Sequence, residues 1–423
     1  MKKEDSNLLP DTRVDINHKR KRNRRIRNWI IGILAVVCIA VAGVGLYVSH
    51  LYKTAENAAN KAYDSKNAVK TTYGEFNGKN SFAVLLLGTD TGAINRTEKM
   101  GNTDTIIVAL VNPDKKKYTL ISIPRDTLAD IQDGKDGRNI QKINAAYSVG
   151  GAGVAMKTVS KLLNVPIKYY ALVNMGGLMK LVTYVGGIYV TPKLTFTYSG
   201  FPFKKGVRQH LNGLAALAYS RMRYDDPEGD YGRQKRQREV ITKLVKKLTS
   251  MNMLTNFNKV TSTLSENVKT NLSFAALRSI ISNYSDCTSD SGSDYLHAYS
   301  ANIGDASYQV ASTKELQRIS NKIRKELGLK TETVDNTETK LNELNVKNGF
   351  SFDSEKTQEY KIYSLKSGSE ADSKNLNSTS SSSSTNFKSD TKSKSALSSN
   401  SNYEYWNSVS SYETNPFSEK GGK

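Results

Sequence analysis

The apolar positions of this chain follow three different patterns along its length. Residues Trp29 to Val48 (WIIGILAVVCIAVAGVGLYV) are apolar or small throughout. About 20 such residues cross a hydrocarbon core roughly 30 Å thick as a helix, so a transmembrane helix is predicted over residues 29–49. From about residue 81 the pattern breaks into short runs. Phe82–Leu87 is apolar and closed by Gly88, which predicts a buried strand followed by a turn. Thr105–Val111 predicts a second strand, Asn112-Pro113-Asp114 a turn, and Tyr118–Ile123 a third strand returning as a hairpin. Ile143–Asn164 reads as a helix interrupted at Gly150-Gly151, Lys168–Val173 as a strand, Met175–Tyr184 as a helix and Ile188–Val190 as a strand. Leu211–Tyr219 is apolar at helical spacing, and Arg233–Met251 is an amphipathic helix with Val240, Leu244 and Leu248 on one stripe. Helices at Phe274–Ile281 and Thr313–Leu327 and a strand near Tyr295–Tyr299 complete the domain. Strands alternating with helices predict an α/β fold, an α/β/α sandwich with a central mixed sheet, preceded by one N-terminal transmembrane helix. In the third pattern, residues 366–411 are rich in Ser, Asn, Thr and Lys, with Ser380–Ser384 unbroken. Such a segment buries too little apolar surface to offset its ordering entropy, and a disordered tail is predicted over 331–423. Tyr403, Tyr405, Trp406, Tyr412 and Phe417 near its end suit either a solvated tail or contact with wall glycan.

Charge assigns the topology. The net charge is +21, and Lys19, Arg20, Lys21, Arg22, Arg24, Arg25 and Arg27 form one block directly before the span. A cationic block in that position stays cytoplasmic, so everything after about residue 50 is expected outside. A nucleic-acid role for the block fits less well because it lies against a membrane span, and membrane-bound transcriptional regulation is disfavoured because a cytoplasmic portion of about 28 residues leaves no room for a DNA-binding fold. The span exceeds a signal-peptide apolar region and no small-x-small cleavage site follows, so it reads as an uncleaved anchor. The expected organisation is a basic cytoplasmic segment over 1–28, the span over 29–49, a polar stalk over 50–80, one domain over 81–330 and the tail. Cys38 lies in the span and Cys287 outside it, so no intrachain disulfide is expected. Four histidines argue against a His-rich zinc site and against a Ser-His-Asp triad.

The chemistry sits in two polar blocks. The first holds Gly88-Thr89-Asp90, Thr103-Asp104-Thr105 and Ser122-Ile123-Pro124-Arg125-Asp126; the second holds Arg221, Arg223, Asp230, Arg233 and Gln237. Carboxylates at strand edges among arginines suit a polyanion held through a divalent cation, with pyrophosphate the foremost candidate. If the first two strands pair, Asp90 and Asp104 reach one cation; alternatively each caps a turn. Arg125 and Asp126 are placed at the same edge, or form a local surface pair. Arg221 and Arg223 point apart in a helix and share a face only if the chain is extended there. Arg233 and Gln237, four apart, share a helix face, with Asp230 just before its first turn. Lys235 and Arg238 read as a solvated basic face. The runs Val159–Leu163, Leu178–Val182 and Leu214–Leu217 could line a lipid channel but read better as core.

In combination, GTD at Gly88–Asp90, TDT at Thr103–Thr105, SIPRD at Ser122–Asp126, KINAAY at Lys142–Tyr147, LNGLAALAYSRMR at Leu211–Arg223 and GRQKRQ at Gly232–Gln237 resemble the LytR–CpsA–Psr family. The resemblance implies a membrane-anchored, Gram-positive-type extracellular phosphotransferase. Such an enzyme moves a glycopolymer (teichoic acid, capsule or related polymer) from undecaprenyl pyrophosphate to the muramoyl 6-hydroxyl of peptidoglycan. It implies Mg2+, or Mn2+ in its place, on Asp90 and Asp104, and pyrophosphate held by Arg125, Lys142, Arg221, Arg223, Arg233 and Gln237. The partners so implied are the lipid-linked polymer, peptidoglycan and the membrane, with no nucleic acid. Arg125, Asp230 and Asp226 are the catalytic candidates, the two carboxylates as bases by their nearness to the arginines. Thr91-Gly92 and Asn102 stand where family members often carry arginine, and Arg96 lies between them. A polyprenyl pyrophosphate hydrolase and a non-catalytic binding module for lipid-linked polymer are the alternative readings of the same site.

Overall fold

The computed structural model describes residues 46–69, 74–89, 101–250 and 257–365. It divides into two units, Met1–Asn57 and Ala58–Lys423. In the first, described residues from 46 onward are helical, with Leu46, Tyr47, Val48 and Tyr52 exposed. The predicted span lies outside the described residues except for its last few. Among the described residues no helix is long and apolar enough to cross a membrane.

The second unit is an α/β sandwich. Its strands, numbered along the chain, begin β1 (Phe82–Thr89), β2 (Thr103–Asn112), β3 (Lys117–Ser122), β4 (Leu128–Asp130), β5 (Ile140–Lys142), β6 (Tyr169–Asn174), β7 (Ile188–Val190) and β8 (Phe196–Tyr198). They continue β9 (Phe201–Phe203), β10 (Gln209–Leu211), β11 (Val268–Thr270), β12 (Asp290–Tyr295), β13 (Tyr299–Ile303), β14 (Ala306–Val310) and β15 (Gln358–Glu359). After helix α1 (residues 46–62) come α2 (Ala145–Leu163), α3 (Met175–Tyr184), α4 (Gly213–Arg221), α5 (Gly229–Ser250), α6 (Phe257–Asn267), α7 (Phe274–Asn283), α8 (Thr313–Glu326) and α9 (Thr337–Lys347).

The central sheet has the order β11-β6-β1-β2-β3-β12. β2 runs antiparallel to β1 and β3, while β6 is parallel to β1 and β12 parallel to β3. The carboxyl ends of β1, β3, β6 and β12 therefore meet at one edge, together with the start of β2. Period-two alternation sets the layers. Ala83, Leu85, Leu87, Val108, Leu110 and Ile121 face the core beneath α2 and α8. Val84 and Phe82 face α7, while Ile107 and Leu120 face Ile241 and Val245 of α5. A second core joins α3, α4, α5 and α6 to the small ribbons of β7–β10. A third joins β13–β15, α9 and residues 350–363. The three runs considered as channel lining are core: Val159, Leu162 and Leu163 in the first, Leu181, Val182, Ala215 and Ala216 in the second.

Three boundaries differ from the expectation. Residues 62–69 and 74–80 are part of the folded unit: Ala62 and Phe76 are buried, Asp64 N donates to Thr270 O (2.8 Å), and Tyr170 OH donates to the Asp64 carboxylate (2.7 Å). Residues 331–365 fold as well, because Leu341, Phe350, Tyr360, Ile362 and Tyr363 bury against β13 and β14; residues 366–423 lie outside the described residues. The strand expected near Tyr295–Tyr299 is in fact two strands, β12 ending at Tyr295 and β13 starting at Tyr299, joined by residues 296–298.

Candidate active site

The site forms where the motifs are tied together by backbone bonds at the carboxyl edge of the sheet. Thr89 pairs with Thr103, with a register shift after Gly88, so the ends of β1 and β2 lie side by side. Thr103 N donates to Asn144 O (3.2 Å), Asn144 N to Arg125 O (3.1 Å) and Ile143 N to Thr127 O (2.8 Å). The TDT, SIPRD and KINAAY segments are thus one woven surface. Asp104 and Arg125 meet on it: Arg125 Nη1 donates to Asp104 Oδ1 at 2.7 Å, with each side chain about one quarter exposed (24% and 25%).

Asp126 belongs to the same cluster. Its carboxylate lies 3.5 Å from Arg125 Nε and 3.4 Å from Lys142 Nζ, and Lys142 also sits 5.5 Å over the Tyr308 ring. Pro124 closes β3 and the chain turns, with Thr127 N and Oγ1 both donating to Pro124 O (3.1 and 2.7 Å). That turn brings the Arg125 and Asp126 side chains to the sheet end.

The second block arrives on α4 and α5. Helix α4 ends at Arg221 and Met222 is extended (φ −54°, ψ 136°), the condition under which Arg221 and Arg223 share a side of the chain. Helix α5 starts at Gly229, earlier than expected, so Asp230 is in its first turn, where a carboxylate complements the helix N-terminus. Asp230 Oδ1 lies 2.7 Å from Arg233 Nη2 and its Oδ2 accepts from Gln234 Nε2 (2.8 Å). Arg233 Nη2 donates to Asp104 O at 3.3 Å, which joins the two blocks. Gln237 follows one turn along α5 and is half-buried.

The electrostatics report the same cluster. Burial works against the charge of Arg125, but Asp104, Asp126 and Asp230 outweigh it and raise its pKa. Burial lowers the pKa of Arg233; Asp230 and Asp104 oppose this, while Arg125 and Arg223 add like-charge repulsion. Cations are thus packed against each other beside three carboxylates. The Arg233 Nε atom is buried without a hydrogen-bond partner among the described residues, and Arg125 Nε has no hydrogen bond there, only the Asp126 carboxylate at 3.5 Å. Unsatisfied buried guanidinium donors are costly in a protein interior, and their natural complement is phosphate oxygen.

Two expectations are corrected. Asp226 does not face this cluster: its side chain is 2% exposed, ion-paired with Arg236 Nη1, and accepts from Glu228 N (2.8 Å). Arg236 also donates to Tyr219 O (3.0 Å) and to Met222 O, so the pair fastens the 222–228 loop to α5. Gly232 is required there, because a Cβ would collide with the Asp226 carboxylate. Arg238 is not solvated: it is buried, donates to Ser293 Oγ (2.7 Å) and Ser122 Oγ (2.5 Å), and burial pushes its pKa down to about 10. Lys235 is exposed as expected, paired with Glu228. Arg236 lies one turn before Val240 on the apolar stripe, and Arg238 three residues before the sheet-facing Ile241. That spacing carried the signal of burial for both. Asp90 and Arg96 lie outside the described residues.

Residues 46–325 match the model of the LytR_cpsA_psr family. The chain belongs to that family. It is 41% identical over 310 residues to the Enterococcus faecalis polyisoprenyl-teichoic acid–peptidoglycan teichoic acid transferase TagU, covering 73% of this chain and 99% of that one. A crystal structure of a Streptococcus agalactiae protein matches with a TM-score of 0.59 at 36% identity, over 67% of this chain and 100% of the other. A structure of TagT bound to LIIa-WTA matches with a TM-score of 0.50 at 26% identity, over 62% of this chain and 96% of the other. The α/β sandwich is therefore the fold of LytR_cpsA_psr domains, and in this chain folded residues continue past the end of the family match, to residue 365.

Proposed function

We infer that this member of the LytR_cpsA_psr family transfers an anionic wall polymer, such as teichoic acid, from a polyisoprenyl pyrophosphate carrier to peptidoglycan on the outer side of the membrane. The observation that carries the reading is the convergence of Asp104, Asp126 and Asp230 with Arg125, Lys142, Arg223 and Arg233 at one sheet edge. The relatives named as teichoic acid transferases support it. Displacement at phosphorus is governed by positioning and charge stabilisation, which fixed arginines supply.

In the reaction so inferred, the acceptor hydroxyl oxygen bonds to the polymer-side phosphorus of the pyrophosphate. The bond from that phosphorus to the bridging oxygen breaks, and polyisoprenyl phosphate leaves. Arg125, Lys142 and Arg233, with Arg223 beside Arg233, hold the phosphate oxygens, and Arg221 and Gln237 are assigned the same role from the family resemblance. Asp230 accepts the hydroxyl proton. Asp104 would hold Mg2+, with Asp90, which lies outside the described residues and follows Thr89 in sequence, as the second carboxylate. No cluster of three potential metal ligands occurs among the described residues. That donor set suits Mg2+, which takes one or two carboxylates and completes its shell with phosphate and water. When bound, the cation would neutralise charge on the pyrophosphate.

Product analysis tests the reading. The full chain is supplied with a lipid-pyrophosphate-linked saccharide and peptidoglycan fragments, with and without Mg2+. Saccharide phosphate joined to the fragments in a Mg2+-dependent manner is the expected result. Release of saccharide phosphate to water would instead establish the hydrolase, and tight donor binding without turnover the binding module.

A further inference from the structure

The site accounts for only part of an unusual charge distribution. Between Gly137 and Tyr224 the chain has twelve Lys and Arg residues and no Asp or Glu. Four of these cations are gathered at the tip of the β7–β10 ribbons by backbone bonds. Lys205 N donates to Thr195 Oγ1 (3.1 Å), Gly206 N to Pro192 O (2.9 Å), and Lys204 N to Gln209 Oε1 (2.9 Å). Lys193, Lys204, Lys205 and Arg208 therefore surround one turn, and all four are exposed.

Two large apolar side chains share the tip. Tyr189 is 46% exposed and Val207 43%. The Arg208 guanidinium stands 4.2 Å from the Tyr189 ring centroid, and the His210 ring, opposite Tyr189 on β10, is 4.9 Å away. The ribbon is amphipathic across its thickness: Ile188, Val190 and Leu211 bury into the second core, and Tyr189 alternates outward. The acids nearest the lobe's core are already paired, Asp226 with Arg236 and Glu239 with Tyr219. Glu239 accepts from Tyr219 OH at 2.9 Å.

We propose that this tip docks on an anionic lipid surface. A ring of cations around an exposed Tyr and Val is the composition of an interfacial contact, the cations reaching headgroup phosphates and the apolar tips entering the headgroup boundary. A soluble polyanion would use the four cations but has no use for Val207 and Tyr189. Docking there would hold the domain in a fixed attitude to the bilayer from which a lipid-linked substrate comes. The proposal does not depend on transfer activity.

The test is amide hydrogen exchange on the full chain reconstituted in phosphatidylcholine vesicles, with and without about one-third phosphatidylglycerol. Residues 188–211 should exchange at least threefold more slowly in the anionic vesicles. The triple variant Lys204→Gln, Lys205→Gln, Arg208→Gln should lose that protection, and Lys204→Arg, Lys205→Arg should keep it, because each basic side chain near such a surface contributes roughly fivefold in affinity. Tyr189→Ser should weaken the protection without removing its dependence on the anionic lipid. Equal exchange in both vesicles, or protection unchanged in the triple variant, would overturn the proposal. So would equal protection in neutral vesicles on adding soluble polyglycerol phosphate, which would assign the tip to the polymer instead.

Discussion

At the scale of single residues, the site separates side chains that meet substrate from side chains that hold the machinery. Asp230 combines both edges of the argument: its carboxylate is 23% exposed, is ion-paired with Arg233, and lies close enough to raise the pKa of Arg125. If it takes the acceptor proton, Asp230→Asn lowers kcat about 10²- to 10⁴-fold with little change in donor KM. An unchanged kcat would remove it from the mechanism. Asp226 is predicted to behave differently. Losing one partner of a buried pair leaves an uncompensated charge, so Asp226→Ala destabilises the protein by about 3–5 kcal/mol, read by urea unfolding. Asp226 looked equivalent to Asp230 in the sequence because both flank the arginines. Only the packing of Arg236 on the Val240 stripe tells them apart.

At the scale of elements, most of the sheet was legible. The β1, β2 and β3 runs, the hairpin turn and the boundaries of α3 follow from period and punctuation, and the structure reproduces them within two residues. The interruption of α2 was legible too: Gly150 and Gly151 leave helical geometry, with Gly151 at φ 72° and ψ −165°. That conformation is essentially confined to glycine. A Cβ at Gly151 meets nothing within 4 Å, so any cost of Gly151→Ala is backbone strain alone. The expected loss is about 1–3 kcal/mol in chemical unfolding, and a neutral result would mean the kink relaxes. What the sequence hid were contacts between distant segments. The 62–80 segment has a stalk's composition, yet Asp64 and Phe76 each find a tyrosine on β6. The weaving of KINAAY onto SIPRD by main-chain bonds leaves no trace in residue type.

At the scale of the whole molecule, α9 ties residues 331–365 to the strand that follows the Arg125 turn. Glu338 accepts from Asp130 N at 2.7 Å and Thr337 Oγ1 donates to the Asp130 carboxylate at 2.8 Å. Burial, which outweighs the Asp130 amide, pushes the Glu338 carboxyl up to about 7 from 4.5. A raised folded-state pKa means the native protein holds a proton that the unfolded chain releases. Its stabilising contribution is full below pH 4.5 and is lost as pH rises towards 7. Glu338→Gln should therefore be more stable than the parent at pH 8, by up to ~3 kcal/mol, and nearly equal to it at pH 4. Equal stabilities at pH 8 would show that Glu338 is charged and compensated in the fold.

The central claim is that the carboxyl edge of the sheet performs group transfer from a pyrophosphate. The measurement that bears on it most directly is the rate at which the full-length chain joins lipid-linked saccharide phosphate to peptidoglycan fragments, across a Mg2+ titration, for the parent and Asp104→Asn. The account predicts metal-dependent attachment by the parent and a loss of at least 100-fold in the variant that excess Mg2+ does not restore. Attachment at the parental rate by Asp104→Asn, with the same metal dependence, would contradict it.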